Sequence, residues 1–233
     1  MAVITFIALL FIRQPYGRHI RKGFGYMINN QFGWVLMEII SPLVFNFFFL
    51  SGVLNHDTIS WIFFAVFNLH YINRSIIFPL RTKTKTKKIP LSIVISAIFF
   101  NAVNGFINGY YLGNFQIHNK SILILVVGLS LFFIGFYINN KSDSILIALR
   151  ADGSTDYKIP YGFLFEKITC PNYFGEILEW IGFFIMTGNI ASFSFLIWSL
   201  ANLIPRARDH HAWYKTTFKE YPTERKIIIP FVF

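Results

Sequence analysis

Residues 121–138 read Ser-Ile-Leu-Ile-Leu-Val-Val-Gly-Leu-Ser-Leu-Phe-Phe-Ile-Gly-Phe-Tyr-Ile, a stretch without a single charge. Wound as an α-helix it would be about 27 Å long, close to the ~30 Å of hydrocarbon in a bilayer. It is not alone. Comparable apolar runs cover 33–54, 58–80, 89–113, 173–188 and 190–205, and a shorter one covers 2–12. The last lacks a basic leader and a small-residue cleavage site, so it reads as a short first span rather than a removable signal. The pattern predicts an all-α, polytopic integral membrane bundle of about seven transmembrane helices, one membrane-embedded domain over 1–233.

Composition agrees. Of 233 residues, 55% are hydrophobic and 19% aromatic, with 29 Phe. Only 14% are charged, where a soluble domain carries about 25%. The mean hydropathy is +0.52. A disordered chain, a collagen and a disulfide scaffold are excluded, the last because Cys170 is the only cysteine.

The net charge of +10 would suggest nucleic acid in a soluble protein, but here the location of the charges decides. With seven spans, all of the 21 basic residues except Lys120 and Arg74 fall on one side. They lie in the segments 13–32, 81–88 and 139–172 and in the C-terminal tail. The positive-inside rule then places the N-terminus outside and the C-terminus in the cytoplasm, and it accounts for the charge without nucleic acid. An endoplasmic reticulum protein and a bacterial inner-membrane protein would share this pattern. The Thr-Lys alternation of 82–87 reads as a solvated loop beside anionic headgroups.

Polar groups inside a span are costly and usually mark function. Glu38 lies early in the second span, where loss of water favours a neutral carboxyl able to donate a hydrogen bond. His70, Tyr71, Asn73 and Arg74 lie in the third. A purely structural Glu38–Arg74 pair is the competing reading. Three polar stripes follow at helical spacing. They are Asn139, Asp143 and Arg150; Asn172, Glu176 and Glu179, in a span opened by Pro171; and Arg206, His210 and Tyr214. Any one stripe suits a solvated helix end. Three at the cytoplasmic side suggest a large polar ligand entering there.

Familiar soluble motifs are missing. Gly23-Phe-Gly25 has no third glycine at dinucleotide-fold spacing and no strand before it, and Walker A and His-Glu-x-x-His are absent. His210 and His211 are adjacent, so on a helix they diverge, and no third ligand accompanies them; no metal site is expected.

Longer motifs carry a resemblance. They are Ile159-Pro-Tyr-Gly-Phe-Leu-Phe165, Thr169-Cys-Pro-Asn-Tyr-Phe-Gly-Glu-Ile-Leu-Glu-Trp180, Pro205-Arg-Ala-Arg-Asp-His-His-Ala-Trp-Tyr214 and Tyr221-Pro-Thr-Glu-Arg-Lys-Ile-Ile-Ile-Pro-Phe-Val-Phe233. Weaker ones upstream are Pro15-Tyr-Gly-Arg-His19, Gly33-Trp-Val-Leu-Met-Glu38 and Asn104-Gly-Phe-Ile-Asn-Gly-Tyr-Tyr-Leu112. Together they resemble the steroid 5α-reductase (3-oxo-5α-steroid 4-dehydrogenase) family over nearly the whole chain, most strongly over 104–233. The resemblance implies NADPH-dependent reduction of the C4=C5 double bond of a 3-oxo-Δ4-steroid, a lipid-soluble enone, by a monomer surrounded by membrane lipids. It implies that Asn139, Asp143, Arg150, Tyr157, Asn172, Glu176, Arg206, His210 and Tyr214 hold the cofactor, and that Glu38 and Tyr71 polarise the carbonyl. The chain departs from the pattern at Met37, where some members carry Gln, and across 83–88, where Lys85 is the candidate basic contact in place of an Arg-Gly-type loop.

Three other readings compete. A related enone or enoyl reductase would act on a polyprenol or an enoyl thioester. A membrane methyltransferase of the isoprenylcysteine type would use S-adenosylmethionine, though Cys170-Pro-Asn stands where that class usually has His-Pro. A channel or transporter would gain nothing from three polar stripes on one side, and no inverted repeat is visible.

Overall fold

The computed structural model describes residues 2–12, 14, 17–19, 23–54, 57–82, 87–115, 121–150 and 156–233. Arg13, Pro15, Tyr16, Arg21, Lys22, Lys83, Lys85 and Lys120 lie outside the described residues. The described chain is 75% helical, with two short strands. In order it forms α1 (Ala2–Phe11), β1 (Met27–Asn29), α2 (Asn30–Leu50), α3 (Thr58–Ile72), a π-helical turn (Asn73–Ile77), α4 (Phe78–Arg81) and β2 (Lys88–Pro90). Then follow α5 (Leu91–Asn114), α6 (Ile122–Ala148), a 3-10 turn (Phe163–Glu166), α7 (Pro171–Thr187) and α8 (Ile190–Thr217).

Among the described residues, α2, α5, α6 and α8 are each long and apolar enough to cross a membrane. The third apolar run is helical from 58 to 81, through α3, the π turn and α4. α7 has 17 residues and α1 has 10; at ~1.5 Å per residue α1 is about half a hydrocarbon thickness.

The chain divides into two compact units. One comprises Pro15–Ser121 with Thr187–Ser192; the other comprises Met1–Gln14, Ile122–Met186 and Phe193–Phe233.

In the first unit, α2 packs along α5 at very short range because Gly105, Gly109 and Gly113 recur every fourth residue on the facing side. A methyl group at Gly105 would stand 2.5 Å from the carbonyl oxygen of Ser41, and one at Gly109 would run into that of Phe45. Small residues at an interhelical contact let backbones approach where apolar burial alone gives no drive to associate. Beyond this seam, Phe45 stacks on Phe67 of α3 with centroids 4.0 Å apart. A short antiparallel ladder, Met27 to Pro90 and Asn29 to Lys88, ties the starts of α2 and α5 together. Asn29 caps α2, its side chain accepting from Phe32 N at 3.1 Å. Gln31 Nε2 donates to the Pro79 and Thr82 carbonyls at 2.9 and 2.8 Å, closing the end of α4.

In the second unit the close seam has glycines on both helices. Gly128 and Gly135 of α6 face Gly182 and Gly175 of α7, and a methyl on Gly135 would be 2.5 Å from the carbonyl oxygen of Gly175. The tail then folds back. Thr169 N and Cys170 N donate to the Lys226 and Ile227 carbonyls at 2.9 and 3.2 Å, and Lys226 N donates to Lys167 O at 2.9 Å. Ile228 thereby joins a core of Cys170, Tyr173, Ile177, Leu203 and Ala207.

Candidate functional site

Glu38 and Tyr71 both belong to the first unit. Glu38 is half-buried on α2. Four residues on, Pro42 has no N–H to give to the Glu38 carbonyl, so the carboxyl sits on a turn whose backbone bonding is interrupted. Tyr71 is 3% exposed, near the end of α3, and His70 lies edge-on with ring centroids 5.1 Å apart. The π turn begins two residues later, and such widenings are frequent at functional sites. Within it Ser75 Oγ donates to Tyr71 O at 2.6 Å. Arg74 lays its guanidinium 4.8 Å from the Phe78 ring centre and 5.3 Å from that of Trp34, a cation–π arrangement suited to an apolar surrounding.

The Tyr71 hydroxyl accepts a hydrogen bond from Asn104 Nδ2 at 2.9 Å. The same amide nitrogen is 3.4 Å from Ser41 Oγ, on the residue one turn along α2 from Glu38. Asn108 Nδ2 donates in turn to Asn104 Oδ1 at 2.9 Å, and Asn101 Nδ2 to Met37 O at 2.6 Å. All three asparagines are buried. Asn104 and Asn108 fall within the motif that carries the family resemblance, Asn101 lies outside it, and the sequence pattern assigns none of the three a role. The signal was present: Asn101, Asn104 and Asn108 are spaced by three and four inside an apolar span, the rule that located the other stripes.

The nine residues expected to hold a cofactor all lie in the second unit. Asn139 and Asp143 are 2% and 4% exposed on one face of α6. Asn139 Nδ2 donates to Asn172 O at 3.0 Å, and Asn172 Nδ2 donates to Asp143 Oδ1 at 3.3 Å. Two stripes read separately from the sequence are therefore joined. The extension of the first stripe to Arg150 along the helix is corrected: α6 stops at Ala148, and Arg150 sits in the turn beyond. Its guanidinium lies 5.1 Å over the Tyr157 ring, which meets Trp213 edge-on. Glu176 is half-buried one turn after Asn172, while Glu179, the third member of its stripe, is fully buried.

On α8, Arg206 lies 5.2 Å over the ring of Tyr173, and its Nη1 is 3.4 Å from Asn202 Oδ1. His210 Nε2 is 3.2 Å from the Tyr173 hydroxyl. Tyr173, to which the sequence assigned no role, thus serves the third stripe from α7. With its neighbour Asn172 it makes the start of α7 the junction at which α6 and α8 are both engaged. Tyr214 is buried and stacks on Tyr221, centroids 5.3 Å apart and planes at 14°. His210 and His211 do diverge, since His211 Nδ1 meets Thr169 Oγ1 instead. Thr169 Oγ1 also lies 2.7 Å from the Tyr221 hydroxyl. Burial pushes the Tyr221 phenol above its usual value, while the Thr169 hydrogen bond and nearby Arg225 pull the other way. Arg225, itself buried, donates to Pro160 O at 3.0 Å.

The donor set of the second unit suits a dinucleotide. Guanidinium groups are common partners of phosphates, and the buried Asn139–Asn172–Asp143 cluster has both amide donors and carboxylate acceptors.

These features define an all-helical protein of membrane type with ordered polar groups inside apolar helices. The family model described as 3-oxo-5-alpha-steroid 4-dehydrogenase matches residues 87–233. The chain is 38% identical over its full length to steroid 5-alpha-reductase DET2 of Gossypium hirsutum, covering 93% of that protein. It is 36% identical to the Arabidopsis thaliana protein of the same name, with 98% of this chain and 91% of that one aligned. It is also 36% identical to 3-oxo-5-alpha-steroid 4-dehydrogenase 1 of Homo sapiens, over 94% of this chain and 86% of that one. The chain belongs to the 3-oxo-5-alpha-steroid 4-dehydrogenase family, oxidoreductases acting on CH–CH groups.

Proposed function

We propose that this protein reduces the C4=C5 double bond of a 3-oxo-Δ4-steroid with NADPH, as a monomeric single-domain membrane enzyme of about seven spans with a cytoplasmic C-terminus. Family membership supports the reaction class. The observation that carries the chemistry is the Tyr71 hydroxyl, 3% exposed among apolar helices and held at 2.9 Å by the Asn104 amide.

Conjugate reduction builds negative charge on the carbonyl oxygen, so hydrogen-bond donors must wait there. Tyr71 and a protonated Glu38 fill that role: each holds a proton at the carbonyl oxygen as charge develops, and neither need give it up. Arg150, Arg206 and His210 hold the cofactor phosphates. Asn139, Asp143, Asn172 and Glu176 bind its amide and hydroxyl groups, and Tyr157 and Tyr214 complete the set. NADPH, when bound, supplies the hydride that ends on the β carbon. The α carbon takes its proton from water. Apolar helices admit a substrate dissolved in lipid and limit the water reaching the enolate.

Turnover by protein purified in detergent, with NADPH and a panel of enone lipids and mass spectrometry of the products, tests the reading. A 3-oxo-Δ4-steroid is expected to gain two hydrogens at C4 and C5. Reduction of only polyprenols or enoyl thioesters would replace the steroid, and methyl transfer from S-adenosylmethionine would replace the reaction. A C-terminal reporter active only on the outer or lumenal side would overturn the orientation.

A further inference from the structure

The amide of Asn104 meets Asn108 through its oxygen and Tyr71 through its nitrogen, with Ser41 Oγ 3.4 Å from the same nitrogen. Its Oδ1 accepts from Asn108 Nδ2 at 2.9 Å, and that bond fixes which way the amide faces, so Nδ2 is the end turned toward Tyr71. An amide N–H₂ only donates. The phenol oxygen on which it acts must therefore be the acceptor, and the phenol proton must point away from Asn104. A tyrosine hydroxyl rotates about its C–O bond, and one filled lone-pair direction removes most of that freedom. The chain Asn108 to Asn104 to Tyr71 runs in one direction, each amide nitrogen donating to the next oxygen. All three side chains are buried at 1%, 4% and 3% exposure, and α5 is held to α2 by the glycine seam on the same face. The relay is therefore built into the rigid part of the first unit.

We propose that Asn104 is a positioning residue for the reduction: by donating to Tyr71 it aims the phenol proton at the substrate carbonyl and stabilises the phenol oxygen as that proton is shared. This rests on the role given to Tyr71 above. Asn104 does not touch substrate and moves no proton of its own. Asn108 supports it at one remove, holding the amide in its working orientation.

The test is a double-mutant cycle in kcat between Asn104→Leu and Tyr71→Phe, measured on the full chain in detergent with saturating NADPH and steroid enone. Leu keeps the approximate size of Asn and removes the donor to Tyr71; Asn104→Ala removes it with less bulk, and neither brings a carboxyl that burial would leave protonated and able to donate in its place. Tyr71→Phe should lose about 10²-fold in rate, as removal of one such donor does. Asn104→Leu and Asn104→Ala should each lower kcat about 10-fold or more, with KM for NADPH unchanged. Added to Tyr71→Phe, either should cost less than 3-fold further, because its effect passes through a hydroxyl no longer there. Losses that multiply in full, or an Asn104→Leu enzyme with wild-type kcat while Tyr71→Phe is impaired, would overturn the inference and leave the proposed reaction standing. Wild-type turnover in Tyr71→Phe would remove both. If one Asn104 variant does not fold, the other carries the cycle.

Discussion

The two units solve the same problem, polar chemistry among apolar helices, in different ways. In the first, the buried polar groups around Tyr71 are neutral: Asn108, Asn104, Ser41 and Tyr71 are hydrogen-bonded to one another and Asn101 donates to the Met37 carbonyl, while Arg74, three residues on from Tyr71, lies on the Phe78 and Trp34 rings. In the second, the proposed binding residues include guanidinium groups, and these lie on aromatic rings, Arg150 on Tyr157 and Arg206 on Tyr173. The difference follows from cost. A charge at membrane depth needs a partner and loses its hydration, whereas an amide needs only a hydrogen bond. Neutral donors are also the groups that can wait beside a carbonyl until charge develops on it.

The seams can be broken first, and the effect should be the largest. Gly109→Leu would drive a side chain into the Phe45 carbonyl, and Gly182→Leu would do the same at that of Gly128. Each variant should fail to give folded, monodisperse protein in detergent, read by size-exclusion chromatography. Ala at either position should lower the thermal midpoint but leave some folded protein.

The chemical contrast is sharpened by Tyr71→Phe and Glu38→Gln. The first deletes a donor and should lower the hydride-transfer rate by about 10² to 10³ at saturating NADPH. The second keeps an N–H donor and should retain partial activity. A folded but inactive Glu38→Gln would mean that an amide cannot take the carboxyl's place.

In the second unit, Arg150→Ala and Arg206→Ala should weaken NADPH binding by about 10-fold each, the loss of a charge-assisted contact worth ~1.5 kcal/mol. Calorimetric titration of the detergent-purified protein measures it, and thermal midpoints should change little. Unchanged affinity in both would return those arginines to a packing role on their rings.

The smallest effect should come from the tail. Because burial raises the Tyr221 phenol above its unfolded value, its contribution is full below about pH 10 and declines as pH climbs through the folded value. Tyr221→Phe should flatten the fall of the thermal midpoint between pH 9 and 11 and, by removing the bond to Thr169, cost about 1 kcal/mol at neutral pH.

Asn139 and Asp143 were read as sharing a face because four residues make about one helical turn, and they do. Arg150, seven further, was carried along the same helix, but where α6 ends is a boundary that periodicity does not mark. Tyr173 went unassigned because a tyrosine amid apolar residues looks like core. Only the approach of α8 turns its ring toward Arg206 and its hydroxyl toward His210. The ladder between Met27 and Pro90 joins residues far apart in the chain through backbone bonds, which leave no side-chain pattern to read.

By itself the sequence determined the helical class, the placement of the apolar segments and the family, because hydrophobicity and local spacing are properties of neighbours along the chain. Which amide faces Tyr71, which ring carries Arg206 and how closely α2 approaches α5 were decided only in three dimensions. Those contacts depend on the relative rotation and separation of helices remote in sequence, fixed by glycine seams and buried hydrogen bonds that form only when the whole unit packs.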